Sequence, residues 1–178
     1  MKTIDKYLFQ ALDNYPYSLE ETIESLDYAF SYDAKNTMVL CLYGRIQAEQ
    51  LWNYEEAKNY FQEALAINIH ALEVYPYYLQ TLILNEDYEE AQKLIDFALT
   101  IKGINKSEIY IKKAILFEAQ LRFKDALTAI KNAKLYTLQF AFESDIMEVE
   151  KRIKSKIDLL KNKKKSNKCK KDSKKKSK

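Results

Sequence analysis

The chain has 178 residues, 47% of them apolar and 31% charged, enough to bury one ordinary core and too apolar to stay unfolded as a whole. Two glycines and two prolines are too few for the turns of a strand-rich fold, and no apolar run approaches the ~18–20 residues that cross a bilayer. The net charge of +3 conceals two parts: positions 161–178 hold eleven lysines against Asp172, which is +10, and the other 160 residues hold 18 basic and 25 acidic side chains, which is −7.

The first predicted element is a helix pair over about 3–33. Leu19, Thr22, Leu26 and Ala29 share one helical face, and Ser18 with Glu21 forms a capping pair at its start, as Asn53 with Glu56 and Asp87 with Glu90 do for the second helices of the next two pairs. The second pair covers about 36–68. Asn36 caps a helix to about Gln50, Leu51-Trp52-Asn53 is the connection, and Asn53-Tyr54-Glu55-Glu56-Ala57 opens the second helix, with Phe61 and Ala64 on the same face.

The third pair covers about 71–102. Its first helix ends near Leu84, after Pro76, which requires either a late start or a kink. The turn Asn85-Glu86-Asp87 leads into Asp87-Tyr88-Glu89-Glu90-Ala91, a copy of the earlier run 34 residues on, with Ile95 and Ala98 following. Gly103 is a left-handed helix stop. The fourth pair covers about 107–135, with the turn Leu121-Arg122-Phe123 and a weaker copy, Arg122-Phe123-Lys124-Asp125-Ala126, 35 residues on, then Ile130 and Ala133.

A single amphipathic helix follows at about 140–160. Phe142, Ile146, Val149, Ile153, Ile157 and Leu160 line one side, and the other is charged, as expected of a cap on a repeat array. The expected organisation is therefore a helical repeat domain over 1–160 and a disordered lysine-rich tail over 161–178. The repeated alanines let a neighbouring helix approach, and the large residue between them fills the space beside it. Connections this short force antiparallel neighbours.

These residues resemble the tetratricopeptide repeat family. The period, the paired helices and the aromatic-acidic-acidic-Ala run match its second-helix signature, most strongly over 38–101. The resemblance implies an all-α fold: an α-solenoid of about four antiparallel helix pairs, a C-terminal capping helix, and a concave groove lined by first helices. Departures are plain. Arg45, Leu79 and Ala114 stand where the family favours a small residue, with Gly44 beside the first. Trp52, Glu86 and Arg122 replace the usual turn glycine, and the proline between repeats is missing.

Little here carries chemistry. His70 is the single histidine and reads as a linker residue. Cys41 and Cys169 are far apart and read as reduced thiols. The carboxylate pairs Glu55-Glu56 and Glu89-Glu90 sit at helix starts, where the helix dipole favours them. No nucleophile constellation or phosphate loop is present, so no catalytic residue, metal, cofactor or small-molecule substrate is expected. Met1 to Asp13 has charges at Lys2, Asp5 and Lys6 and no long apolar core, so a cytoplasmic protein without a signal peptide is expected.

The expected function is a non-catalytic scaffold that holds a peptide or helix of a protein partner. The family geometry nominates Leu42, Ile46, Glu49, Glu73, Gln80, Ile83, Glu108, Ile111 and Glu118, and Tyr77 joins them as an aromatic contact. The apolar members would form an exposed strip and the glutamates a border, which suits a basic or apolar segment. Tyr43, Tyr75, Tyr77, Tyr78 and Tyr110 suit either core packing or ligand contact. The alternative is a nucleic-acid-associated protein anchored by its tail, and an anionic membrane is a further partner for eleven lysines. The tail has no arginine or aromatic to stack on bases.

Overall fold

The computed structural model describes residues 6–137 and 142–175, with side chains as far as Lys161. Among the described residues the chain is all helical, with nine helices and no strand. They are α1 (Lys6–Asn14), α2 (Leu19–Tyr32), α3 (Thr37–Glu49), α4 (Tyr54–Ile67), α5 (Val74–Leu84), α6 (Tyr88–Ala98), α7 (Lys106–Ala119), α8 (Phe123–Tyr136) and α9 (Glu143–Lys175). Two compact units divide them, Met1–Ile104 with α1–α6 and Asn105–Lys178 with α7–α9.

Within the first unit α1 packs on α2, α3 on α4 and α5 on α6. α5 also packs on α3 and α4, so each new pair rests on the pair before it. In the second unit α7 pairs with α8, and α9 packs on both, as α5 does on α3 and α4. α9 thus stands where the first helix of a further pair would stand.

The repeated columns explain the pairing. Ala57, Ala64, Ala91, Ala98, Ala126 and Ala133 are wholly buried, and so are Phe61 and Ile95, with Ile130 nearly so. In the first pair Thr22, Leu26 and Ala29 take the same places and are buried as well. Each alanine brings a partner helix close, and each large residue fills the gap at the density of a protein interior. Gly44 shows how close. A Cβ there would lie 2.7 Å from the Phe61 ring, and that ring stacks on Tyr78 at 5.6 Å. Gly44, not Arg45, therefore supplies the small place in α3, one residue before the position the family pattern names.

Helix starts follow the sequence in part. Asn36, Asn53 and Asn105 accept hydrogen bonds from the Met38, Glu56 and Glu108 N–H groups. Ser18 and Asp87, expected to cap α2 and α6, make no such bond. The Asp87 carboxylate instead receives Lys58 Nζ and Asn85 Nδ2, each at 2.7 Å. A charged partner outcompetes a backbone N–H for the same oxygens. Pro76 is the third residue of α5, which starts late, so its missing N–H falls in the first turn where no helical partner is needed.

The turns inside pairs are left-handed. Trp52, Glu86 and Leu121 have φ of 53°, 62° and 60°, and Gly103 has 90°. The third turn uses Leu121, one residue before Arg122. At Glu86 and Leu121 the next N–H returns five residues, Asp87 to the Leu82 carbonyl and Arg122 to the Phe117 carbonyl. That closure satisfies the last carbonyls and demands a left-handed residue just past the helix. Past Lys161, the disorder expected of 161–178 falls on residues whose side chains lie outside those described; the α9 backbone runs to Lys175.

Two substitutions test this packing. Gly44→Ala should cost about 1–3 kcal/mol, because the buried Phe61 ring must move. Glu86→Gly should gain about 0.5–1 kcal/mol by relieving a left-handed backbone. Urea midpoints of both variants, read against wild type, check the pair.

Candidate functional site

α3 places Cys41, Arg45 and Glu49 four residues apart, on one stripe. The neighbouring stripe, Leu42 and Ile46, turns into a core with Leu8, Ala11, Leu26 and Ala29. α5 brings Tyr77 beside Arg45, and the turn after α1 brings Tyr15. The Arg45 guanidinium lies 4.6 Å from the Tyr15 ring centre and 4.2 Å from that of Tyr77. Glu49 pairs with Arg45 Nε at 3.3 Å and accepts the Tyr15 hydroxyl. Four side chains from three segments thus form one rigid polar and aromatic cluster. Two cation–π contacts, each worth ~0.5–2 kcal/mol when partly desolvated, hold the cation in place.

Glu73 sits at the other end of α3. Its carboxylate lies 3.5 Å from Thr37 Oγ1, and its carbonyl faces the Cys41 thiol at 4.0 Å. Burial pushes that thiol up to about 12, with Arg45 opposing, so Cys41 is a neutral thiol at pH 7 and not a ready nucleophile. Burial, then the Glu49 carboxylate, also raises Tyr15 to about 12.

This geometry corrects the expected apolar strip. Leu42, Ile46, Ile83 and Ile111 are buried, none more than 5% exposed, so they are packing residues. Glu49 and Glu73 are exposed, and Tyr77 and Gln80 are half-buried. What the first unit presents along α3 and α5 is polar and aromatic. Tyr15 and Arg45 were missed by sequence reasoning. Arg45 drew notice only as a departure from a small residue, although its place four residues before Glu49 was a signal.

In the second unit the nominated residues meet α9. Ile111 packs with Ile146, Val149 and Ile153. Glu118 is 3% exposed and receives Arg152 Nη2 at 2.8 Å and Lys156 Nζ at 2.7 Å. It therefore does not border an open surface. Burial opposes its charge, but hydrogen bonds from Arg152 and Lys156 prevail and hold the carboxyl below its usual range. Glu108 is half-buried, and desolvation raises its carboxyl.

His70 is exposed in the turn between α4 and α5, where its N–H donates to Asn68. Trp52 is 76% exposed at a turn tip. Cys169 lies outside the described side chains. Among the described residues no group of three or more His, Cys, Asp or Glu is placed to hold a metal, and no helix is long and apolar enough to cross a membrane. No protein-family model matches the chain, and no curated protein matches it.

Glu118→Ala should destabilise the chain by about 1–3 kcal/mol; Arg152 and Lys156 keep part of their water, so the cost falls below that of a fully buried pair. Because the folded carboxyl titrates low, its contribution is present above pH ~4.5 and is lost as pH falls through its folded value, so the variant should show a shallower acid limb in a stability–pH curve. At the other extreme Tyr15, raised from 10.0 to about 12, stabilises below pH 10 and loses that effect as pH climbs toward 12. Tyr15→Phe should make the alkaline decline shallower, measured by melting temperature at each pH.

Proposed function

We propose that the chain is a non-catalytic, tetratricopeptide-like scaffold whose first unit holds a basic segment of another protein along α3 and α5. The observation behind this reading is the Tyr15–Arg45–Tyr77 stack with the exposed Glu49 beside it and the exposed Glu73 at the far end of α3. Glu49 closes α3 and Glu73 adjoins its start, so the two lie one helix length apart, roughly 18 Å at 1.5 Å per residue. An extended segment of about five or six residues spans that distance.

The cluster suits such a partner for a second reason. Its own guanidinium is stacked on tyrosine and paired with a carboxylate, which is the chemistry a bound arginine or lysine would use. Rings already fixed by Arg45 lose little freedom when a ligand arrives. The buried apolar residues beneath make the face rigid and leave recognition to charge and aromatic contact. The family resemblance belongs to the same reading, supported by the repeat spacing of 34 and 35 residues and by the helix pairs, and a cytoplasmic location is part of the proposal.

The test is a screen of lysine- and arginine-rich peptides against the full chain, followed by titration of the tightest binder against Glu73→Lys with Tyr77→Ala. Glu73 is exposed and Tyr77 half-buried, so the variant should stay folded, with melting lowered modestly by the loss of one cation–π contact to Arg45. The expected result is a Kd at least tenfold weaker, about 1.4 kcal/mol. Equal affinity would place the binding surface elsewhere.

A further inference from the structure

The first unit has a second aromatic surface, on another side of α3. Tyr43 lies two residues from both Cys41 and Arg45, about 200° round the helix, so it points away from the Arg45 stack. α2 and α4 both pack on α3, and Tyr43 lies between them. Its ring stacks on Tyr60 of α4, with centres 5.3 Å apart, and Phe30 of α2 meets it edge-on at 5.8 Å. Phe30 is exposed, and Tyr43 and Tyr60 are half-buried.

Carboxylates surround these rings. Asp27 of α2 accepts the Tyr43 hydroxyl. Glu56, Tyr60 and Glu63 follow one another at steps of four and three residues, on one stripe of α4. Burial raises the Tyr60 phenol, and Glu56, Glu63 and Asp27 raise it further, so all three carboxylates act at one ring. Among the described residues no lysine or arginine pairs with any of the three. The fold itself does not require this openness. Tyr78, 35 residues on, is 4% exposed, with Phe61 against its ring and Gln62 and Glu90 at its hydroxyl.

We propose that the surface between α2 and α4 takes an arginine side chain of a protein partner, independently of the face along α3 and α5. The chain already holds one guanidinium with this set of groups: Arg45 lies against two tyrosine rings and a carboxylate. A guanidinium is flat and donates two parallel hydrogen bonds, so it meets a ring and a carboxylate together. A lysine ammonium is a strongly hydrated point charge and gains less from the rings. A phosphate backbone would be repelled by three carboxylates, and an apolar helix would bury them without partners. Charge and ring chemistry therefore select the same occupant.

The experiment is fluorescence anisotropy of a labelled, acetylated tetra-arginine peptide with the full chain carrying Glu73→Lys and Tyr77→Ala, which weakens the other face. The peptide should still bind this background, at least fivefold tighter than tetra-lysine of the same charge. Adding Tyr60→Ala with Glu63→Gln should weaken it about tenfold while circular dichroism stays helical. If that variant unfolds, Glu63→Lys takes its place; the position is exposed, and binding should fall by a similar factor. Three outcomes overturn the proposal: no binding of tetra-arginine to the background, equal affinity for tetra-lysine, which would leave charge acting alone, or unchanged affinity in the folded variant.

Discussion

The second helix pair rests on one contact, a small residue of one helix meeting a large residue of its partner. It is Gly44 against Phe61, with no room for a methyl group. The alanines at the matching places of the later pairs are wholly buried too. Close approach fixes which face of each helix looks inward. That in turn fixes which side chains are left to face water. The polar stripe of α3 exists because its neighbouring stripe is committed to the core.

The same logic accounts for α9. A repeat array ends on an apolar face that needs cover. Ile146, Val149 and Ile153 provide it, packing where the first helix of another pair would pack. Arg152 and Lys156 then meet a carboxylate of the last pair, Glu118, which is buried in the folded unit. A buried charge without a partner is costly, so Glu118 and α9 depend on each other. Lys134 on Glu150, at 2.5 Å, ties α8 to α9 nearer the surface, and Lys154 of α9 itself shares that carboxylate at 2.6 Å.

Contacts one period apart recur in both units. The Tyr15 hydroxyl reaches Glu49, 34 residues on, and Arg152 reaches Glu118 across the same interval. These columns hold different residues, yet each links one first helix to the segment one repeat away. In the first unit the link stays partly open to solvent and gathers Arg45 and Tyr77; in the second it is closed by α9. One repeated position thus stays partly open to solvent in one place and serves stability in the other.

The sequence by itself determined the helices, their order and their pairing face, because local periodicity and turn chemistry act within a few residues. Ala57, Ala91, Ala126 and their large neighbours were legible for that reason, and so were the Asn36 and Asn53 caps. The tertiary structure alone decided which first-helix residues stay exposed. Leu42, Ile46, Ile83 and Ile111 carry the same periodic signal whether they line a groove or fill a core, since burial depends on segments distant in sequence. The Tyr15–Arg45–Tyr77 stack was hidden for the same reason: its three members lie 30 and 32 residues apart, and only the packing of α5 on α3, with the turn after α1 alongside, brings two rings to one cation.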